Sequence, residues 1–198
     1  GRIVVLGVHS DAIAIARYLG DGQPDVSFSG DGRADLAIPV ATFALVDVRV
    51  LDDGAIVAIG RRTSVVGNPF TNGLWAAKVT SGGAAFPGYG STGVSIEEQG
   101  FTAFAERGSI ASDGSAVMTQ RGVGGGWANT ISATGVFDTT TDLADAPPMG
   151  CTPSMLPSSP AGAMALSATE FVWVQDAVYE CGGFRDAVAL TRASIPSG

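Results

Sequence analysis

His9 is the residue on which hydrolytic chemistry in this chain would depend, because it is the only histidine among the 198 residues. It lies in residues 7–11 (GVHSD), a predicted turn, beside a serine and an aspartate that could complete a nucleophilic triad. The G-x-S-x-G spacing of a nucleophile elbow does not occur, and an H-E-x-x-H zinc motif needs a second histidine. We therefore predict that the chain is not an enzyme and uses no cofactor; a hydrolase is the last alternative.

Asp31 and Asp35 are the candidate calcium ligands. They lie in residues 27–36 (SFSGDGRADL), which resemble a D-x-D-x-D-G loop with serines at its first two acidic positions. Calcium requires six to eight hard oxygen ligands, and turn formation is sufficient to explain the Asp31-Gly32 pair. We predict no metal site. Residues 122–127 (GVGGGW) are similarly predicted to be a flexible loop, because a strand and not a helix follows them.

Short apolar runs recur along the chain at intervals of about 55–60 residues. Residues 1–7 (GRIVVLG) recur as residues 54–60 (GAIVAIG), and in shorter form as residues 114–118 (GSAVM). A second apolar run follows each copy, and pairs such as Asp21-Gly22 mark tight turns between the runs. Runs of four or five residues rich in Val and Ile are too short for helices. Each period therefore predicts about four antiparallel strands.

Four-stranded units that repeat in this way predict an all-β fold, a β-propeller or a fragment of one, as a single domain over residues 1–198. The predicted units are residues 1–44, 45–100, 101–162 and 163–198, with about fourteen strands in about 3.5 blades. On this interpretation two apolar blade edges are exposed. A protein partner, a second copy or the remainder of a parent chain would supply the missing strands.

Residues 12–60 resemble a bacterial delta-60 repeat. The stretch ARYLGDGQPDVSFSGDG, followed by DDGAIVAIG, is similar to family units of the form ALARYNxDGxLDxSFGxDG and VxxxDGKIVVAG. The match weakens along the chain, and the Ser-Phe-Gly signature is missing after Trp127. The resemblance implies a secreted or cell-envelope propeller protein of bacteria, and it carries over no catalytic residue.

The loops between the first and second apolar run of each unit are predicted to emerge on one face, because the strands are antiparallel. Rigid scaffolds concentrate binding residues in such loops, and aromatic and arginine side chains are common anchors of protein interfaces. The predicted function is therefore a protein-binding or assembly module, and a carbohydrate-binding propeller is the first alternative. The predicted binding residues of this loop face are His9, Arg61, Arg62, Phe70, Asn72, Trp127, Asn129 and Tyr179.

The charge balance argues against two classes of partner. The formal net charge is −8, and Lys78 is the only lysine, whereas nucleic-acid binding depends on clustered Lys and Arg. The sequence also lacks the run of roughly 18 apolar residues that a membrane-spanning helix requires. We predict neither a nucleic-acid partner nor a membrane span.

Cys151 and Cys181 are the only cysteines, and they lie in a segment rich in Gly, Pro and Ser. An even count without C-x-x-C spacing predicts one structural disulfide, and hence an oxidising extracellular or envelope location. Two unrelated buried thiols are the alternative. The chain starts with glycine inside an apolar run, which is typical of a processed product or an excised fragment.

If Cys151 and Cys181 form a disulfide, its reduction is expected to lower the free energy of unfolding by about 3 kcal/mol, because the bridge closes a long loop in the unfolded chain. Urea unfolding with and without reductant measures this difference, and the double variant Cys151→Ser, Cys181→Ser is the control that reductant does not affect. Equal stability in both conditions would rule out the bridge.

Overall fold

The computed structural model confirms the all-β class. It describes residues 1–9, 12–38, 42–63, 72–99, 104–122, 125–142, 152–153, 159–165, 170–180 and 184–194. Within these ranges the regular structure consists of fifteen strands, close to the number expected, and contains no helix. None of the described residues therefore belongs to a helix that could cross a lipid bilayer.

The first two sheets are antiparallel, and each strand pairs with the next along the chain. Sheet I consists of β1 (Arg2–His9), β2 (Ala12–Leu19) and β3 (Arg33–Ala37). Sheet II consists of β4 (Thr42–Val50), β5 (Ile56–Thr63), β6 (Asn72–Val79) and β7 (Val94–Gln99). The strands are rich in Val, Ile and Ala, and Asp-Gly or Gly-Gly pairs lie in several of the turns between them.

The remaining strands form two further antiparallel sheets. Sheet III consists of β8 (Phe104–Ile110), β9 (Ala116–Gly122), β10 (Gly125–Ile131) and β11 (Phe137–Asp142). Sheet IV consists of β12 (Thr152–Pro153), β13 (Ser159–Ala165), β14 (Glu170–Glu180) and β15 (Phe184–Ser194). β14 pairs with the other three strands of sheet IV, so Pro153 and Pro160 lie in strands with a single partner, where proline is tolerated.

Three predicted loop segments are wrong in their bounds. β1 continues through Gly7 and Val8 to His9, and Arg61 and Arg62 lie inside β5 instead of opening a loop. The glycine-rich residues 122–127 are mostly strand, because Gly122 ends β9 and Gly125 begins β10. Cross-strand pairing over the whole length of each hairpin extends these strands beyond their apolar runs. The predicted disulfide lies outside the described residues, although the neighbouring Thr152 and Glu180 are paired.

Sheet II is buried on both of its faces. Along β5, Ile56 and Ala58 belong to a core cluster shared with sheet I, whereas Val57 and Ile59 belong to one shared with sheet III. All four side chains are at most 1% exposed. Alternate residues of a strand point to opposite faces, so a continuous apolar run is what a sheet enclosed by two neighbours requires. Burying each Ile or Val contributes roughly 1.5–3 kcal/mol.

Sheet III is covered in the same way. Its Met118 and Ile131 pack towards sheet II, while Val117 and Thr119 are buried on the opposite face. On that side the backbones of β8 and β9 approach β13 of sheet IV. The four sheets therefore pack in chain order, and each of the two middle sheets lies between two others.

The turns that follow β2 and β6 have the same backbone hydrogen bonds. The amide of Leu19 donates to the carbonyl of Gln23, and the amide of Thr80 donates to that of Ala84, both at 2.8 Å. Gly22 and Gly83 occupy the same place in these turns, each with a φ of +87°. Gly135 takes this place in the turn after β10, with a φ of +81°. Glycine is favoured there because it adopts positive φ without strain.

Two of these three glycines lie against an aromatic ring of the preceding sheet. A Cβ on Gly83 would be 3.2 Å from the Phe28 ring and 2.9 Å from the Ser29 nitrogen. A Cβ on Gly135 would be 2.9 Å from the Tyr89 ring. A Cβ on Gly22 would meet nothing within 4 Å. The aromatic–glycine contact therefore joins sheet I to sheet II and sheet II to sheet III.

This contact predicts different costs for two equivalent substitutions. Gly22→Ala is expected to lower the free energy of unfolding by about 1 kcal/mol, because alanine is strained at positive φ. Gly83→Ala carries the same strain, and its methyl group also collides with Ser29 and Phe28, so it is expected to cost about 1–3 kcal/mol more. Urea unfolding of both variants measures the difference. Equal losses would show that the inter-sheet contact contributes nothing.

Candidate binding surface

The strand ends that flank the predicted loop face lie at one end of sheets I to III. The Arg17 guanidinium near the end of β2 donates to the Ser81 carbonyl just after β6, and the Ser29 amide donates to the Gly82 carbonyl at 2.7 Å. Gly135 follows β10 and lies against Tyr89, which is in the loop between β6 and β7. The three strands thus end together. The first residues of these strands, Ala12, Asn72 and Gly125, therefore lie together at the opposite end.

Arg61 and Arg62 reach this end as packed strand residues. Arg62 is 5% exposed, forms an ion pair with Glu98 of β7, and lies against Gly73, where a Cβ would be 2.7 Å from its Nε. Burial lowers the pKa of the Arg62 guanidinium. The carbonyl of Arg61 accepts a hydrogen bond of 2.9 Å from the indole of the fully buried Trp75. The Arg62 side chain and the Arg61 carbonyl therefore join neighbouring strands of sheet II at its end.

The other predicted residues of the loop face are described to different extents. Asn129 is 3% exposed, and Trp127 is partly buried, both within β10. His9, Asn72 and Tyr179 are placed as backbone of β1, β6 and β14, and Phe70 lies outside the described residues. The loop face as a ligand surface, for a protein or a glycan, stays a prediction.

Arg33 binds both Asp31 and Asp35, the two candidate calcium ligands. Asp31 accepts the Arg33 amide at 2.8 Å, and Asp35 forms an ion pair of 2.9 Å with the guanidinium. Asp31 is in a turn, and Asp35 lies in β3. In the part of the chain that the structure describes, no group of three or more His, Cys, Asp or Glu could hold a metal ion.

Asp25 is a buried charge with several polar partners, and no sequence motif predicted it. Its side chain is 5% exposed and accepts hydrogen bonds from the Arg17 Nε at 2.8 Å and from the Ser27 hydroxyl and amide. It also forms an ion pair with the Arg2 guanidinium, at 2.9 Å from its Nε. The Ser27 hydroxyl is the main cause that keeps the pKa of Asp25 below its usual value; burial opposes it, and Arg17 lowers the pKa further. Asp25 holds the guanidinium that binds the Ser81 carbonyl.

The largest apolar side chains on the outer face of sheet I are exposed. Ile3 and Val5 of β1 are 51% and 48% exposed, and they pair with Tyr18 and Ala16 of β2. The ion pair of Arg33 and Asp35 lies on β3 at the side of this face. Contiguous exposed apolar groups with a polar rim are typical of interaction surfaces. We call Ile3, Val5, Ala14, Ala16 and Tyr18 the outer face.

No protein-family model matches the chain. No curated protein matches it either.

The network around Asp25 predicts a pH dependence of stability. Because the folded pKa lies below the unfolded value near 3.8, the ionised carboxylate stabilises the fold above that pH, and this contribution is lost as the pH falls through the folded pKa. Asp25→Asn is expected to be less stable than the natural chain at neutral pH.

Urea unfolding from pH 7 to pH 2 is expected to show this difference shrinking at acid pH. Asp35→Asn is the matched control, since its carboxylate is about half exposed and its ion pair is worth little. A difference between Asp25→Asn and the natural chain that persists unchanged at pH 2 would contradict the role assigned to the charge.

Proposed function

We propose that the chain is a non-catalytic, propeller-like module of delta-60-type units that binds other protein chains. Its apolar surfaces, instead of a reactive cluster, are the feature on which this proposal depends.

The outer face of sheet I is the single observation that carries the proposal. Its residues Ile3 and Val5 belong to GRIVVLG, and the corresponding residues of GAIVAIG are Ile56 and Ala58. Sheet I covers Ile56 and Ala58, which are at most 1% exposed, whereas about half of Ile3 and Val5 is open to solvent. The same type of surface is thus an internal interface in sheet II and an exposed one in sheet I.

A protein sheet is the occupant that such a face fits best. It is three strands wide and contains small alanines between larger side chains, as sheet-on-sheet interfaces do. Burial of exposed Ile and Val contributes to binding in proportion to the apolar area removed from water. A small polar ligand would leave most of this apolar area in contact with water.

The serial packing of the sheets favours a propeller-like architecture. The recurring glycine turns and the aromatic–glycine contacts join consecutive sheets in an equivalent way, as expected of repeats that bury themselves against their neighbours. Blades in a ring, with further sheets from a partner or a second copy, would cover the outer face of sheet I.

A secreted or cell-envelope location is part of the same proposal. It is supported by the predicted pairing of Cys151 with Cys181 and by the resemblance of residues 12–60 to the bacterial repeat. The single lysine and the net charge of −8 fit a partner other than nucleic acid.

The association of the chain tests this function. Light scattering across a wide range of concentrations is expected to show complexes of the natural chain, and the double variant Ile3→Lys, Val5→Lys is expected to stay monomeric because charges disrupt an apolar contact. Val26→Lys, at a valine that is 68% exposed in the loop after β2, is the control. A natural chain that remains a monomer throughout, with the same surface-dye binding as the double variant, would contradict the proposal.

A further inference from the structure

The edge of β1 that faces away from β2 has no strand beside it in the described part of the chain. Sheet I has the order β1-β2-β3, so β1 is an edge strand. The strands that resemble it in sequence, β5 and β9, each lie between two partners, with β4 and β8 on the corresponding side. The backbone groups along this edge of β1 can therefore pair with an added extended segment.

A row of exposed apolar side chains lies next to this edge. On β4, Leu45, Val48 and Val50 are 43%, 36% and 51% exposed. Val48 and Val50 pair with Ala58 and Ile56, whose side chains point towards sheet I, so the row faces the same way. A small apolar pocket of about 40 Å³ connects the row to β1, and its lining includes Leu6, Val8 and Leu45.

β8 of sheet III corresponds to β4 of sheet II, and its equivalent side is covered by another strand. β8 packs against β4, and its Ile110 is 1% exposed. A Cβ on Gly108 would lie 2.8 Å from the Val46 side chain of β4. Gly108 and Ile110 pair with Met118 and Ala116, as Val48 and Val50 pair with Ala58 and Ile56. The covering element in sheet III is thus the first strand of the preceding sheet.

β4 covers β8 with polar as well as apolar contacts. The Asp47 carboxylate accepts the Ile110 amide at 3.1 Å, and the Arg49 guanidinium donates to the Ile110 carbonyl at 2.9 Å. The backbone amide and carbonyl of Ile110 are thus bound by a negative and a positive side chain of β4. Val50 has the same place in β4 as Ile110 has in β8, since each pairs with the equivalent residue of the next strand.

We propose that β1 and the row Leu45, Val48 and Val50 form a groove that binds an added extended polypeptide segment with the pattern of β4. The segment pairs with the free edge of β1 and covers the apolar row. Its aspartate and arginine bind the backbone amide and carbonyl of Val50, as Asp47 and Arg49 bind those of Ile110. This proposal rests on the proposed protein-binding function and adds to the outer face a second surface, which takes a single β-strand.

A synthetic peptide with the β4 sequence TFALVDVRV, carrying a fluorescent label on a solubilising tail, tests the groove by fluorescence anisotropy with the full chain. Saturable binding is expected. A peptide with Asn for the aspartate and Gln for the arginine is expected to bind about tenfold more weakly, because it loses two charge-assisted hydrogen bonds. Equal affinity of both peptides, or of a scrambled one, would overturn the proposed register.

Two variants of the protein locate the binding site. Val50→Lys is expected to weaken peptide binding by at least about tenfold, because it places a charge against the apolar segment. Val26→Lys, at an exposed valine outside the groove, is expected to bind the peptide as the natural chain does. Circular dichroism confirms that both are folded. Unchanged binding by a folded Val50→Lys variant would overturn the proposal.

The outer face separates this proposal from the proposed function. Ile3 and Val5 point away from the apolar row, so the double variant Ile3→Lys, Val5→Lys is expected to bind the peptide even where it no longer associates. If the natural chain associates through the outer face but no peptide binds, the groove is wrong and the protein-binding function stands. If self-association requires Val50 and no peptide binds, the occupant is a second copy, and the proposal is wrong.

Discussion

The burial of sheet II on both faces is the constraint on which the rest of the structure depends. Sheet II carries Ile56 and Ala58 on one face and Val57 and Ile59 on the other, so both faces are apolar and exposing either one to water is unfavourable. It is stable only between two other sheets, and sheet III meets the same requirement with Val117 and Met118. The interfaces between neighbouring sheets therefore supply most of the apolar burial that stabilises this fold.

The same constraint accounts for the surfaces that are open. The alternation that buries sheet II continues in sheet I, where Val4 and Leu6 pack towards the core and Ile3 and Val5 point outwards. Likewise β4 buries Val46 against sheet III and leaves Val48 and Val50 exposed on its other side. The exposed apolar surfaces and the internal interfaces thus share one chemistry, and they differ only in whether another sheet covers them.

The fold class followed from the sequence because its cause is local. Short apolar runs rich in Val and Ile, separated by Asp-Gly and Gly-Gly pairs, predicted strands and turns correctly. Strand ends were less predictable, because partners distant in the sequence decide them. Arg62 belongs to β5 because it pairs with Gly73 of β6. Gly125 belongs to β10 because it pairs with Gly122 of β9.

The polar sites were also difficult to predict, because their partners come together only in the folded chain. Asp25 has the sequence context of a turn residue, and its role depends on Arg17, Arg2 and a hydroxyl from Ser27. Asp47 and Arg49 alternate along β4 like ordinary solvated residues, yet both bind the backbone of Ile110. Arg62 and Asn129 were predicted to bind a ligand, and both are buried within sheets.

Hydrogen–deuterium exchange measured strand by strand tests most directly whether each sheet is protected by its neighbours. In dilute solution the account predicts slow exchange throughout β5, β6 and β9, which lie in the doubly covered sheets, and fast exchange in β1, whose outer edge and face are open. It also predicts that exchange in β1 slows when the protein associates. Exchange in β1 as slow as in β5 at the lowest concentration would contradict the account.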